Sequence, residues 1–343
     1  MYAPKLLTRE AFREGVFQRD SHRCVFCRAP AVDAHHILER RLFDDGGYYL
    51  DNGASVCEHH HLECEMTLKS VDQVREACGI RRALVPEHLY PDQAYDKWGN
   101  PVLANGQRTR GELFFDESVQ KVLRMGGVLD LFTNRVKFPR THHLPWSPGI
   151  HSDDRVIGTM AHFVGKRVIA TVKMDGENTT CYRDYIHARS VDGRHHRSRD
   201  WVKGFWGSFA HEIPEDWRVC GENLYALHSI AYDALESYFL GFSVWNERNR
   251  CLGWDDTLEW FELLGIRPVE VLFDGIYDEA AIRKLYDSKR DWSSREGFVL
   301  RVADEFSYGQ YRTHVAKFVR AGHVQTSKHW MEGQRVVPNR LAG

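Results

Sequence analysis

Hydrophobic and polar positions alternate most regularly at Arg167-Val-Ile-Ala-Thr-Val-Lys173, so Val168, Ala170 and Val172 share one face of a predicted strand and Ile169, Thr171 and Lys173 the other. The run ends in Met174-Asp175-Gly176-Glu177-Asn178, a glycine-containing turn that receives Lys173 from a half-buried strand. An amine in that position suits a nucleophile: desolvation and nearby cations lower a lysine pKa, and a glycine turn lets a phosphate approach the backbone. Elsewhere the period is helical. Thr8 caps a helix over 8–19 with Phe12, Val16 and Phe17 as its stripe, and Gly79 closes a short helix over 71–80. Residues 110–115 read as a strand and 117–123 as a helix. A helix over 256–264 is capped by Asp256 with Glu259 completing the box, turns Leu258 and Phe261 inward and stops at Gly265. Asp278 opens another, with Ile282, Leu285 and Tyr286 as its stripe. Residues 238–245 form an aromatic strand, and Lys317 rides on a β run between Val315 and Val319. Prolines and Asn105-Gly106 mark loops between 86 and 106, and 138–149 is too proline-rich for an element interior.

A chain of 343 residues with 43% hydrophobic content predicts two domains with real cores. A formal net charge of −2 means that any nucleic acid must be met by a local basic patch. No apolar run is long enough to span a membrane and the N-terminus lacks a signal-peptide pattern, so a cytosolic (cytoplasmic) protein is expected. Eight cysteines in a chain this long do not make a disulfide scaffold, and the C-x-x-C pair points to metal. The expected divisions are 1–80, a connector over 81–136 that packs on the second domain, and 137–343.

Cys24-Val-Phe-Cys27 is followed by Cys57-Glu-His-His60, two knuckles that offer four soft ligands to one tetrahedral structural Zn²⁺. Between them lie Asp33-Ala-His35-His36 and Asn52, and His61 follows the second knuckle. Residues 8–70 thereby resemble the HNH nuclease module. The resemblance implies that His36 is the general base, that His35 and His61 ligate a catalytic divalent metal, and that Asn52 orients the base. Where many relatives carry a further histidine this chain has Glu65, which can ligate Mg²⁺ or Mn²⁺. An active nuclease and a zinc-stabilised nucleic-acid-binding module both remain open.

Downstream of Lys173 come His187-Ala-Arg189-Ser190, Gly221-Glu222-Asn-Leu-Tyr225, Phe242 on the aromatic strand, Glu296-Gly-Phe-Val-Leu-Arg301, and Val315-Ala-Lys317-Phe-Val-Arg320. This ordered set resembles the covalent nucleotidyltransferases, the ATP-dependent ligases and capping enzymes. The resemblance makes Lys173 the amine that attacks the α-phosphate of ATP and Lys317 the cation on that phosphate. It makes Glu222 and Glu296 contacts to Mg²⁺ (or Mn²⁺) and nucleotide, Phe242 the purine platform, and Arg189 the residue that handles the RNA 5′-phosphate. Asp175, in the nucleophile's turn, joins the catalytic set. Asn178 matches the asparagine of RNA ligases that serves AMP transfer to the 5′-phosphate. Too few residues follow Arg320 for a further oligonucleotide-binding fold, so the branch that looks most similar is the Deinococcus-type nick-sealing RNA ligase. Two departures are Val319, where a lysine is common and Arg320 compensates, and Val172, where some relatives have glutamate. Arg194, Arg197, Arg199 and Lys203 outnumber Asp192 and Asp200 around Trp201 and Phe205, which suits a backbone groove with stacking platforms as well as a solvated loop with incidental aromatics.

The expected fold is α+β: a zinc-bound ββα module, then a nucleotidyltransferase domain of antiparallel sheets with flanking helices. The expected function is ATP-dependent ligation of RNA 5′-phosphate and 3′-OH ends through lysyl-AMP, with partners of the nicked duplex RNA or RNA/DNA hybrid kind. The competing reading is an HNH endonuclease whose second domain senses nucleotide. A third is a zinc module that recruits a ligase.

Overall fold

The computed structural model describes residues 4–81, 84–150, 152, 154–191, 196–286, 292–322 and 336–342. Two units separate at the boundary between Arg135 and Val136.

In the first unit, α1 (Arg9–Arg19) is capped by Thr8, whose hydroxyl accepts from the Ala11 N–H at 3.2 Å. Its Phe12 and Val16 are buried with Ala34 of a hairpin, β1 (Asp33–His36) with β2 (Gly53–Val56). The pairing is antiparallel, with His35 opposite Ala54. α2 (Glu58–Glu65) follows β2 directly and completes a ββα unit, and α3 (Val71–Ala77) starts from a Ser70–Gln73 capping box. Four short strands form a second sheet in the order β3-β4-β5-β6: β3 (Ala94–Tyr95), β4 (Pro101–Val102), β5 (Arg108–Thr109) and β6 (Phe132–Thr133). α4 (Glu117–Met125) is capped by Asp116.

Residues 81–135 therefore belong to the first unit and have their own core of Trp98, Phe114, Val119, Leu123 and Val128, which corrects the expectation of a connector. Arg108 is the physical reason. A buried guanidinium must be paired, and its partners are the Thr67 hydroxyl and Asp96 at 3.1 Å, both in this unit. Residues 112–115 are a 3₁₀ turn rather than the expected strand, because the helix cap at Asp116 follows at once.

The second unit contains β7 (His142–His143), β8 (Arg167–Lys173), β9 (Glu177–Tyr182), β10 (Ile186–Ala188), α5 (Asp200–Phe209) and β11 (Arg218–Asn223). These are followed by β12 (Phe239–Trp245), β13 (Arg250–Cys251), α6 (Trp254–Leu264), β14 (Arg267–Pro268), β15 (Val271–Ile276) and α7 (Glu279–Lys284). Last come β16 (Gly297–Val302), β17 (Phe306–Ser307), α8 (Tyr311–His314) and β18 (Val315–Val319). One sheet runs β15-β8-β16-β18-β7 and the other β10-β9-β11-β12-β13-β17, with β14 beside β12. All pairings in these two sheets are antiparallel except β12–β14 and β18–β7.

β8 alternates as its sequence requires, but both faces are covered. Val168 and Ala170 pack with Phe298, Leu300 and Phe318, while Ile169 packs with Trp254, Val269 and Ala303. The half-buried strand is thus a central one, with β15 and β16 on either side. α6 begins at Gly253–Trp254 rather than at Asp256, because Trp254 is buried and is drawn into the helix, which leaves Asp256 in the first turn. Gly265 ends it in the left-handed region at φ +66°, as expected. Residues 200–209 form α5 rather than a loop. His142–His143 is a strand within the proline-rich stretch. No helix among the described residues is long and apolar enough to cross a membrane.

Candidate active site

Register places the chemistry. Lys173 stands opposite Gly297 on β16, and Thr171, Val299 and Lys317 form a row across β8, β16 and β18. On the facing sheet Asn178 of β9 is opposite Glu222 of β11. These residues open onto one cavity of ≈ 680 Å³ whose wall includes Lys173, Asn178, Arg189, Glu222, Phe242 and Lys317. Two glycines allow the approach. A Cβ on Gly297 would lie 1.9 Å from the Phe318 carbonyl oxygen, so any side chain there would push β18 and Lys317 away. A Cβ on Gly176 would lie 2.6 Å from the Asn223 carbonyl oxygen, and without it the Gly176 N–H donates to Glu222 Oε1 at 3.2 Å.

The electrostatics correct one expectation. Burial works to lower the Lys173 pKa, but Glu296, which accepts a hydrogen bond from Nζ, together with Glu222 and Asp175, outweighs it, and the net direction is up. The anticipated cations are outnumbered by carboxylates. Lys317 goes the other way: burial and then repulsion from Lys173 lower its pKa, with Asp154 Oδ1 at 3.7 Å opposing. Burial and the neighbouring Glu296 push Glu222 up to about 8, against the pull of Lys173. A raised carboxyl pKa means that the folded state favours the protonated form. That contribution to stability is present below the ordinary carboxylate range and lost as pH rises through about 8. Glu222→Gln mimics the protonated form. In metal-free protein its melting temperature should match wild type near pH 5 and exceed it by a few degrees near pH 9, as read by thermal melts at both values.

Three second-unit residues expected in the catalytic set are not part of the cavity wall: Glu296, which reaches the Lys173 amine, and Asp175 and Arg320. The Asp175 carboxylate accepts from Ser229 N–H and Oγ at 2.8 and 2.6 Å and from Ile230 N–H at 2.9 Å, and its own N–H donates to Tyr232 Oη at 2.8 Å. It braces the turn after Lys173 against residues 224–235. That segment is in turn clasped by Asn339, which donates to the Leu224 carbonyl at 2.8 Å and accepts from Tyr232 N–H at 3.0 Å. Arg320 Nε donates to the Arg295 carbonyl at 3.0 Å.

Other cavity residues had no motif to mark them. Asp154 sits between Lys317 and His143 Nε2 (3.2 Å), and Arg140 is 3.8 Å from the same carboxylate. Arg199 Nε donates to Glu177 at 2.7 Å inside the cavity, which takes it out of the anticipated basic groove. Trp201 and Phe205 stack at 5.2 Å and are packed against the core below α5. Asp192 and Arg194 lie outside the described residues.

In the first unit, Cys24, Cys27, Cys57 and His60 place all their ligand atoms within 4.8 Å of one another. Cys27 and Cys57 sulfurs are 3.7 Å apart, and Cys24 Sγ is 3.6 Å from His60 Nδ1. A tetrahedron with Zn–S of about 2.3 Å has an edge of about 3.8 Å, so the four donors fit zinc. A second group comprises His35, His61 and Glu65. Glu65 Oε1 is 3.3 Å from His35 Nδ1 and 3.4 Å from His61 Nε2. His36 stacks on Phe12 at 4.6 Å, and burial lowers its pKa to about 4, which keeps the imidazole neutral. The Asn52 side chain hydrogen-bonds backbone groups. Its amide accepts from Leu38 N–H at 2.9 Å and donates to the Leu38 carbonyl at 3.0 Å, which fixes the backbone after β1.

Residues 166–319 match the RNA ligase family model. The matched span runs through β18 and includes Lys173, Glu222, Phe242, Glu296 and Lys317, the residues of the cavity and its carboxylate partner. Among solved structures, a Naegleria gruberi RNA ligase variant with ATP and manganese aligns with a TM-score of 0.39 at 16% identity, over 55% of this chain and 57% of that one. A variant of the same ligase with AMP and manganese gives 0.38 at 16%, over 55% and 56%. An unliganded variant gives 0.38 at 15%, over 55% and 56%. The chain thus spans little more than half the length of those structures. No curated protein matches the chain.

Proposed function

We propose that the second unit is an ATP-dependent RNA ligase that joins 5′-phosphate and 3′-OH ends at nicks through a lysyl-AMP on Lys173, in the manner of the Deinococcus-type enzymes. The observation that carries this reading is the convergence of Lys173, Glu222, Lys317 and Phe242 on one cavity, with Lys173 hydrogen-bonded to Glu296. Phe242 offers a partly exposed ring to a purine, with Phe138 edge-on behind it at 5.3 Å. Lys317, held by Asp154, is placed to meet the α-phosphate as charge builds there. Arg189 and Asn178 lie on the same cavity and take the RNA end. Asn178 Oδ1 is buried without a hydrogen-bond partner in the described structure, as a group kept for a ligand would be.

The Lys173 proton must leave before attack, and the Glu296 carboxylate that already accepts its hydrogen bond is the nearest acceptor. Glu222 and Glu296 are two carboxylates around one ammonium, a donor set that fits Mg²⁺ or Mn²⁺. Such an ion would offset the triphosphate charge and weaken the hold of the carboxylates on Lys173. Lys173 Nζ then bonds to the α-phosphorus as the bond to the pyrophosphate oxygen breaks, and pyrophosphate carries away the electron pair.

For the first unit we propose an HNH-type module, zinc-held by Cys24, Cys27, Cys57 and His60, with His36 as base and His35, His61 and Glu65 as the divalent-metal ligands. A hydrolysis that leaves 5′-phosphate and 3′-OH ends would make ends of the kind the second unit seals. The test uses nicked duplexes with RNA or DNA at each end, ATP and Mg²⁺. Sealing of a ribonucleotide 3′-OH nick supports the reading. Nuclease activity without sealing of any nick would favour the second reading, an endonuclease with a nucleotide-sensing domain.

A further inference from the structure

Lys97 is 5% exposed, although no sequence motif contains it. Its ammonium has three partners. It lies 3.1 Å from Glu65 Oε1 and 3.3 Å from Glu39 Oε2, and it donates to the His36 carbonyl at 3.2 Å. The indole of Trp98 lies 4.9 Å from the same nitrogen. The loop that carries Lys97 is held in place. Asp96 accepts from the Trp98 and Asn100 N–H groups at 2.9 and 3.0 Å, Glu39 N–H donates to the Lys97 carbonyl at 2.9 Å, and Trp98 Nε1 donates to the Glu65 carbonyl at 2.9 Å. Glu65 Oε1 therefore serves His35, His61 and Lys97 at once, and it is the only carboxylate in the three-residue metal group.

We propose that Lys97 is a built-in competitor for the divalent cation at the His35–His61–Glu65 group, and that loading requires the ammonium to give up Glu65 and rest on Glu39 and the His36 carbonyl. The inference depends on the proposed metal role of that group. A cation bound by Glu65 would meet the Lys97 charge a few ångströms away in a half-buried site, where screening is weaker than in open water. The same ammonium compensates the half-buried Glu39 and Glu65 and the His36 carbonyl without metal, so the group keeps its geometry while unloaded. Glu39 gives the ammonium somewhere to go. Lys97 thus sets how much free cation is needed rather than taking part in hydrolysis.

The experiment titrates Mn²⁺ into the zinc-loaded full chain by calorimetry and electron paramagnetic resonance. The component of interest is the part lost in His35→Ala. Lys97→Gln should tighten that component at least tenfold, because even water-screened repulsion between an ammonium and a divalent ion about 4 Å apart exceeds this factor. Unchanged or weaker His35-dependent binding in Lys97→Gln would overturn the proposal and leave the metal group standing. If neither protein has a His35-dependent component, the proposal and the metal reading fall together. Should Lys97→Gln not fold, a structure of wild type at saturating Mn²⁺ decides. Lys97 Nζ displaced from Glu65 toward Glu39 is the expected result, and Mn²⁺ bound with that contact intact overturns it.

Discussion

Lys317→Ala should lower the rate of lysyl-AMP formation by roughly 10²- to 10³-fold, the usual cost of removing one group that stabilises developing charge. The side chain is part-buried, opposite Val299 and two strands over from that of Lys173, with β16 between, and Asp154 at 3.7 Å limits where its ammonium can go. Burial and repulsion from Lys173 lower its pKa, and its positive charge in turn favours the neutral amine of Lys173. Because charge develops on the α-phosphate in both adenylylation and AMP transfer, both steps should fall. Asn178→Ala should behave differently. The amide is neutral and lies across the cavity on β9, opposite Glu222, so it can orient an RNA end but cannot offset phosphate charge. Single-turnover reactions separate the two. Lys317→Ala accumulates no lysyl-AMP on the wild-type timescale, while Asn178→Ala accumulates it and then seals nicked RNA slowly. Normal adenylylation by Lys317→Ala would remove that residue from the chemistry. Failure of Asn178→Ala to take up AMP would mean that the asparagine serves the nucleotide rather than the RNA.

Removal of zinc should have an equally large effect on the first unit. The core beneath α1 consists of Phe12, Val16 and Ala34, with a few half-buried neighbours. A structural zinc site contributes on the order of 10 kcal/mol to such a module. Three of the four donors come from short connections on either side of the hairpin, so a bound ion would tie the segment before β1 to the start of α2. Cys57→Ser should purify with less zinc than wild type and expose residues 20–65 to limited proteolysis, and a strong chelator should do the same to wild type. Full protease resistance in zinc-free protein would show that these donors are not a structural site.

Much of this arrangement could be read from the residues, and the exceptions share a cause. The β8 alternation, the Gly265 stop, the Thr8 and Asp278 caps and the paired Cys/His spacing are local signals, and each is present in the structure. Long-range pairing was not legible. The strand made by His142–His143 exists because β18 offers it an edge, and the start of α6 is moved by the burial of Trp254. Residues 94–109 join the first unit through Arg108 and its partner Thr67, which is distant in sequence. The candidate site divides the same way. Motif residues were identifiable by order, whereas Asp154 and Lys97 act through neighbours that only folding brings near. The direction of the Lys173 pKa shift is hidden for the same reason, since Glu296 is far along the chain but hydrogen-bonded to its amine. The place of Asp175 in the turn is legible in the sequence, but its hydrogen bonds to residues 229–232 are not, because those residues lie more than fifty positions away.

The central claim is that Lys173 accepts AMP. Intact-mass spectrometry after incubation with ATP and Mg²⁺, followed by peptide mapping, tests it directly. The account predicts that wild type gains the mass of one AMP, mapped to Lys173 and removed by pyrophosphate, and that Lys173→Ala gains none. An AMP adduct of equal yield in Lys173→Ala, or an adduct mapped to another residue, would contradict it.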